Sequence, residues 1–182
     1  MGRISVGEKM PDFCFNTGFE NNKHLSDYLQ GKTVLWVLRY IGCTTCRYEA
    51  HLINQRYDEF TAKNAKVLMV MQSDQEHIQK DLEQYGEKFA FDIVCDPEMK
   101  IYKELEILPG TSKEAMRGPH PEKLMEKIAK IREAGFVHGD YEGDELQLPA
   151  MFILDEEGTV VYAHYAEYGS DMPSIDEVLE ML

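Results

Sequence analysis

Three runs of apolar and β-branched residues predict the central strands of a buried sheet. They are TVLWVLRY at residues 33–40, KVLMVMQ at 66–72 and FDIVC at 91–95. Runs that are apolar at nearly every position are typical of strands covered on both faces. Helical segments separate these runs, and the alternation of strand and helix predicts a parallel core with right-handed crossovers.

The segments between the strands carry the spacing and the end signals of amphipathic helices. The second helix is predicted to start at a capping box of Ser73 and Glu76 and to end at Gly86. The third is predicted to begin at Asp96-Pro97, with proline in its first turn. The buried face of the first helix recurs every three or four residues and comprises Cys46, Ala50, Ile53, Tyr57 and Phe60.

This regular alternation breaks between residues 107 and 148. Turn signals occur at Pro109-Gly110 and in the stretch GPHP at 118–121, and an amphipathic helix follows them. We interpret the region as an insertion packed on the sheet, because it is too short for a strong core of its own. The inner face of its helix is predicted to hold Leu124, Ile128 and Ile131.

The end of the chain predicts two strands and a closing helix. The strands are AMFIL at 150–154 and TVVYAH at 159–164, and a turn with Gly158 at its strained position joins them. Ser174 and Glu177 form a capping box for a helix over 175–182. Residues 1–182 are therefore predicted to form one α/β domain, with the insertion at about 107–148.

Charge narrows the range of partners. The chain has 19 basic and 33 acidic residues, a formal net charge of −14. Nucleic acid and anionic membrane surfaces are therefore not expected as partners, because their phosphates would be repelled. Residues 1–11 include charged side chains and no apolar core, so we expect no secretory signal and a cytoplasmic location.

Two cysteines stand where the first strand is predicted to meet the first helix. Cys43 and Cys46 are separated by two residues, and in a cytosolic chain this spacing is typical of redox chemistry or metal binding. The positive end of a helix stabilises a thiolate, which is the reactive form of cysteine. We therefore predict that Cys43 is a nucleophile and that Cys46, one turn later, resolves the mixed disulfide that Cys43 forms.

The residues around the pair are predicted to shape this site. Arg39 and Arg47 flank it and are expected to stabilise the thiolate. The net negative charge opposes them, but distant surface charge is screened beyond about 8–10 Å at physiological salt. Gly42 precedes the pair, and Thr44 and Thr45 lie within it.

Two other interpretations of the cysteines remain open. A structural zinc site needs four ligands, and Cys14 and Cys95 are isolated residues without a second close pair. The pair could also be buried and inert, since buried cysteine behaves as a small hydrophobic residue. The placement between strand and helix favours a redox dithiol over both.

Pro149, immediately before the strand at 150–154, is the second feature of interest. A proline at the start of a strand is common. The sharper hypothesis is a cis proline that faces the dithiol and leaves the neighbouring backbone free to pair with a partner.

These segments together resemble the thioredoxin superfamily, in the redoxin branch that includes alkyl hydroperoxide reductase and thiol-specific antioxidant proteins. The resemblance implies a thioredoxin-like fold, with a central mixed β-sheet flanked by helices and a helical insertion before the cis-proline strand. Pro149 falls where the family keeps its cis proline. The segments that carry the resemblance are VGEKMPDF at 6–13, LSDYLQGK at 25–32, CTTCRYE at 43–49, Asp96-Pro97 with Tyr102, and PAMFILD at 149–155.

The chain also departs from the patterns of this superfamily. Thioredoxins carry Trp before the first cysteine and Gly-Pro between the two, and their buried acid would fall near Val37. Peroxiredoxins place Thr three residues and Pro seven residues before the cysteine that attacks peroxide. Neither Cys43 nor Cys46 is preceded by that combination.

The resulting hypothesis is a thiol-disulfide oxidoreductase that needs no cofactor beyond its own dithiol. The expected partners are a disulfide-containing protein, a small thiol or a peroxide, with a thioredoxin or glutathione system as electron donor. One alternative is a peroxiredoxin-like thiol peroxidase in which Cys46 attacks and Cys43 resolves. Another is a non-catalytic binding module in which the insertion covers the pair or holds a partner.

Overall fold

A mixed sheet forms the centre of the computed structural model, which describes residues 2–182. Its seven strands are β1 (Cys14–Thr17), β2 (Lys23–His24), β3 (Lys32–Val37), β4 (Ala65–Met71), β5 (Asp92–Cys95), β6 (Ala150–Leu154) and β7 (Val160–Tyr165). Their spatial order is β2-β1-β5-β4-β3-β6-β7. The pairs β3–β4 and β4–β5 are parallel and all others are antiparallel, which confirms the predicted parallel core and adds antiparallel strands on both sides.

Helices connect and cover the strands. They are α1 (Thr44–Gln55), α2 (Tyr57–Ala62), α3 (Gln75–Tyr85), α4 (Lys100–Glu104), α5 (Lys113–Arg117), α6 (Pro121–Glu133) and α7 (Ile175–Met181). A short 3-10 turn lies at Leu25–Tyr28. Within residues 2–182, no helix combines the length and apolar character that a membrane crossing requires.

Two predicted helices differ from those observed. The first is interrupted at Arg56 (φ −107°, ψ 15°), so that α2 begins as a separate helix. The third begins at Lys100 rather than at Asp96-Pro97, because Met99 adopts a left-handed conformation with φ 57°. The carboxylate of Asp96 accepts hydrogen bonds from the backbone N–H groups of Lys100 (2.9 Å) and Ile101 (2.8 Å), and so still caps the helix.

The predicted cap of α3 is wrong by one residue. Asp74 is the N-cap, and its carboxylate accepts the backbone N–H of His77 at 2.9 Å. The Ser73 hydroxyl instead accepts the backbone N–H of Ile41 at 2.8 Å. The serine thereby ties the end of β4 to the loop that leads into α1. Gly86 ends α3 in the left-handed conformation, as predicted.

The sheet separates two apolar clusters. Alternate residues of β3 point to opposite faces, as the pleat of a strand requires. Val34 and Trp36 belong to one cluster, together with both cysteines of the predicted dithiol, while Leu35 and Val37 belong to the other. The candidate site is therefore built on a single face of the sheet.

The insertion packs differently from the expectation. Helix α6 contacts α1 rather than lying on the sheet, and only Ile131 of its predicted inner face is fully buried. Leu124 and Ile128 are half-buried. Farther along, the ring of Phe136 packs against Tyr48 of α1 and Tyr85 of α3, with centroid distances of 5.6 and 5.0 Å.

Arg47 joins α1 to α3 and to the insertion. Its side chain is only 1% exposed and donates to Asp81 at 2.7 Å and to Glu87 at 2.6 Å. The guanidinium also lies over the rings of three aromatic residues, Tyr85, Phe89 and Phe136, at 4.8 to 5.1 Å from their centroids. A buried charge is tolerated when ion pairs and hydrogen bonds compensate it, as they do here.

Replacement of Arg47 by Met should therefore destabilise the fold. We expect the free energy of unfolding to fall by about 3 kcal/mol, because two largely buried carboxylates lose their partner. Arg56→Met is the control, since Arg56 pairs with the exposed carboxylates of Glu59 and Asp176. This substitution should change stability far less, because exposed ion pairs contribute little. Chemical denaturation at neutral pH measures both variants. Equal losses would contradict the assigned importance of the Arg47 ion pairs.

Candidate active site

Cys43 occupies the N-cap of α1. Its backbone is extended (φ −67°, ψ 121°), and its sulfur accepts the backbone N–H of Cys46 at 3.4 Å. A sulfur in this position meets both the free N–H groups and the positive end of the helix dipole. The structure therefore places Cys43 at the start of the helix, as predicted.

Arg39 brings a full positive charge to the same sulfur. Its Nη2 lies 3.1 Å from Cys43 Sγ, and its Nη1 donates to the backbone carbonyl of Glu145 at 2.5 Å. The hydroxyl of Thr45 lies 3.4 Å from Cys43 Sγ. Three groups, from the helix backbone, a guanidinium and a hydroxyl, therefore converge on one sulfur.

These contacts separate the acidities of the two thiols. The hydrogen bond with the Cys46 thiol lowers the pKa of Cys43, and burial raises it. The positive charge of Arg39 lowers the pKa further, so that it lies well below the usual range of a thiol. The same hydrogen bond and burial raise the pKa of Cys46 well above its usual range. The arrangement therefore favours a thiolate on Cys43 beside a protonated thiol on Cys46.

Cys46 lies one turn inside α1 on its buried side, in the same apolar cluster as Ala50 and Ile53. Both site cysteines are reduced and buried. The predicted inward orientation of Cys46 is thus observed, and its thiol lies within hydrogen-bonding reach of Cys43.

Two residues that sequence reasoning did not assign support Arg39. The Tyr40 hydroxyl donates to the carboxylate of Glu145 and lies 3.1 Å from Nε2 of His138. Burial, followed by the hydrogen bond to Glu145, raises the pKa of Tyr40, so the phenol remains a donor. Glu145 therefore positions Arg39 through its carbonyl, and its carboxylate anchors the last part of the insertion to Tyr40. No local spacing connects Glu145 to the cysteines, although Tyr40 could have been noticed beside Arg39.

The structure places Arg47 away from the thiols. Its guanidinium is held by Asp81 and Glu87 on the α3 side of α1, which corrects the expectation that it stabilises the thiolate. The physical reason is the helical rotation of about 100° per residue, which turns position 47 away from the face that carries Cys46.

Gly42 and Thr44 have structural roles. Gly42 accepts the backbone N–H of Gly139 at 2.8 Å, and a Cβ at position 42 would approach the backbone oxygen of Asp140 to 2.3 Å. A side chain at this position would therefore push the segment after α6 away from the loop that precedes Cys43. Thr44 is buried in the first turn of α1.

No peptide bond within residues 2–182 is cis, so the Leu148–Pro149 peptide is trans. This corrects the cis-proline hypothesis and that part of the expected fold. Pro149 leads directly into β6, and its carbonyl accepts the backbone N–H of Ala166 at 3.2 Å. It is thus a proline at the start of a strand whose carbonyl is already paired. The ring still lines the same cavity as both cysteines.

A cavity of about 610 Å³ gives access to the thiols. Residues from α1, both insertion helices and the segment before α7 line it, and both cysteines and Arg39 are among them. Glu49 of α1 also lines the cavity, and burial raises its pKa against the opposing charge of Lys127. Glu49 is the acidic residue nearest in sequence to the cysteine pair. Thioredoxins carry a buried acid at the position of Val37, which lies on the other face of the sheet here.

The structure does not gather the four cysteines into one site. Cys14 is exposed in β1, and Cys95 lies in β5, where burial raises its pKa to about 12. The metal-ligand cluster found among residues 2–182 contains no cysteine and consists of Asp74, His77 and Glu142. Its members are already hydrogen-bonded to one another and to the start of α3. A zinc site built from the cysteines is therefore not supported.

Comparison with known proteins identifies relatives of this chain. The chain is 28% identical to a prostamide/prostaglandin F synthase of Salmo salar over 134 residues, which are 74% of this chain but only 65% of that protein. It is 26% identical to the protein of the same name from Danio rerio over 150 residues, 82% of this chain and 73% of that one.

The fold is also that of a solved structure, the crystal structure of a peroxiredoxin-like protein from Aquifex aeolicus. The TM-score is 0.69 at 15% sequence identity, over 98% of this chain and 86% of the other. Residues 6–163 match the sequence profile of the AhpC/TSA family. The chain therefore belongs to the AhpC/TSA family, whose redoxin fold and thiol-dependent chemistry agree with the architecture described above.

Proposed function

We propose that the protein is a thiol-disulfide oxidoreductase in which Cys43 is the nucleophile and Cys46 the resolving thiol. Membership of the AhpC/TSA family supports a thiol-dependent redox role. The observation that carries the finer assignment is the 3.1 Å contact between Arg39 Nη2 and Cys43 Sγ. A guanidinium at this distance favours the charged form of the sulfur and thereby selects one cysteine of the two.

The proposed reaction transfers two electrons from the dithiol to a disulfide. The Cys43 thiolate attacks one sulfur of the substrate, the substrate S–S bond breaks, and the leaving thiolate takes a proton from solvent. Cys46 then loses its proton and attacks Cys43 Sγ, which forms the Cys43–Cys46 disulfide and releases the second substrate sulfur as a thiol. A dithiol donor of the thioredoxin or glutathione class would restore the reduced pair.

The other two hypotheses receive less support from the contacts. A peroxidase with Cys46 as attacker requires a reactive Cys46 thiolate, but Cys46 is the member of the pair with the raised pKa. A non-catalytic binding module would leave the contact between Arg39 and Cys43 Sγ, and the lowered pKa of Cys43, without a use. Both hypotheses predict little turnover of disulfides.

One observation favours a second candidate substrate. Much of the cavity lining is apolar, and the relatives in Salmo salar and Danio rerio are named prostamide/prostaglandin F synthase. A lipid-derived molecule with an O–O bond could accept the same two electrons. The Cys43 sulfur would attack one oxygen and break the O–O bond, which leaves an S–O bond on Cys43. Cys46 would then attack the Cys43 sulfur and break that S–O bond. The products would be two hydroxyl groups and the Cys43–Cys46 disulfide.

Cysteine variants test the assigned order of attack. Cys43→Ser should abolish reduction of a small aromatic disulfide by the reduced protein, because the nucleophile is lost. Cys46→Ser should accumulate a mixed disulfide on Cys43, since nothing resolves it, and intact-protein mass spectrometry measures the adduct. Cys95→Ser serves as the matched control and should retain turnover. An adduct trapped on Cys46 in the Cys43→Ser protein would reverse the roles.

The pH dependence of alkylation tests the contribution of Arg39. Cys43 has a lowered pKa, so its thiolate is present at neutral pH, and its alkylation rate should fall only when the pH drops through that lowered value. In Arg39→Met the pKa of Cys43 should rise, so that less thiolate is present at neutral pH. The alkylation rate at neutral pH should then be lower by about tenfold, the effect of about one pKa unit, and should rise steeply toward alkaline pH. Arg132→Met, an exposed residue of α6, is the control. Identical profiles for the wild type and Arg39→Met would refute this role.

A further inference from the structure

Three basic side chains of the insertion line the cavity without an acidic partner. Lys113 and Arg117 of α5 and Lys127 of α6 belong to the lining, and all three are exposed, whereas the two thiols are buried. None of them has a carboxylate within ion-pairing distance in the part of the chain that the structure describes. The positive charges therefore lie at the solvent side of the cavity and the sulfurs at its inner end.

The acidic residues that line the same cavity do not neutralise this group. Glu145 is engaged by Tyr40 and Arg39, and Asp176 by Arg56. The third acid, Glu49, lies near enough for the charge of Lys127 to act on it, but it leaves the charges of Lys113 and Arg117 unbalanced. In a chain of net charge −14, the solvent side of this cavity is thus locally positive.

Two buried polar atoms in the lining residues also lack partners. Nε1 of Trp36 has no acceptor and Oε1 of Gln147 has no donor among residues 2–182, although both side chains are at most 1% exposed. A buried polar atom without a partner is unfavourable, because it has lost its hydrogen bonds to water. Both residues line the cavity, so its lining includes a donor at Trp36 and an acceptor at Gln147 that no protein group of residues 2–182 pairs.

The lining between the basic group and the thiols is apolar. Burial of a hydrocarbon chain along such a surface is favourable because apolar area is removed from water. The apolar residues are Leu38 and Leu52, Met116 of α5, Leu124 and Ile128 of α6, and Met172 before α7.

We propose that the cavity binds an amphipathic anion, a hydrocarbon chain that ends in a carboxylate, with the carboxylate at Arg117, Lys127 and Lys113. The hydrocarbon lies against the apolar lining and brings its reactive part to Cys43. The claim that such an anion is a substrate rests on the proposed function. The claim that it binds does not, because binding requires no reactive thiol. The insertion thereby selects the charge of the ligand, and α1 supplies the chemistry.

The single tryptophan of the chain, Trp36, reports on binding because it lines the cavity. Titration of the reduced protein with decanoate and with decanamide compares two ligands with the same chain and different head charge. Decanoate should change the fluorescence of Trp36 at lower concentration than decanamide, and added salt should weaken decanoate binding alone, because exposed charges are screened by salt.

The double variant Arg117→Gln/Lys127→Gln tests the basic group. It should bind decanoate about tenfold more weakly, since two exposed charge interactions together contribute on the order of that factor, and should bind decanamide as the wild type does. The matched control is Lys130→Gln/Arg132→Gln, which removes two exposed charges of α6 outside the cavity lining and should leave both ligands unaffected.

The outcomes separate this proposal from the dithiol mechanism. Equal affinity for decanoate and decanamide, or equal loss in the two double variants, would overturn the proposed anion site. A fluorescence that neither ligand changes would also overturn it. Decanoate binding by a wild-type protein that fails to turn over disulfides would refute only the proposed function.

Discussion

The contact between the Arg39 guanidinium and the Cys43 sulfur is the interaction on which the site depends. A thiolate in a buried position of an acidic protein is unfavourable unless a close positive charge and several donors compensate it. The helix start supplies backbone N–H groups, and Arg39 supplies the charge. Arg39 is in turn held by the carbonyl of Glu145, on the segment that returns from the insertion. The reactivity of a local Cys-x-x-Cys segment is therefore linked to a distant part of the chain.

The insertion has two effects on the same cavity. Its return segment closes over the loop at Gly42, where only a glycine leaves room for the backbone of Asp140. Its helices supply half-buried apolar side chains and exposed cations to the lining. The return segment thus shapes the sulfur environment, while the helices determine which ligand can approach it. Pro149 ends the return segment and leads directly into β6, which begins at Ala150.

Local signals in the sequence predicted the elements on which the site is built. The strand before the cysteines, the helix start at Cys43 and the capping box of α7 all depend on residues close together in the chain. The short strands β1 and β2, on one side of the sheet, carried no such signal. Glu145 could not be predicted either, because only the tertiary fold brings it to Arg39. The error at Arg47 was avoidable, since one step past Cys46 rotates a side chain by about 100° around the helix, away from the face that carries the thiol.

The central claim is that Cys43, and not Cys46, carries the thiolate. Nuclear magnetic resonance of the reduced protein with ¹³C-labelled cysteine Cβ atoms would follow both thiols as the pH changes, with Cys14→Ser and Cys95→Ser used for assignment. The account predicts that Cys43 titrates first, well below the range of an ordinary thiol, and that Cys46 titrates last, above it. Titration of Cys46 before Cys43 would contradict the account.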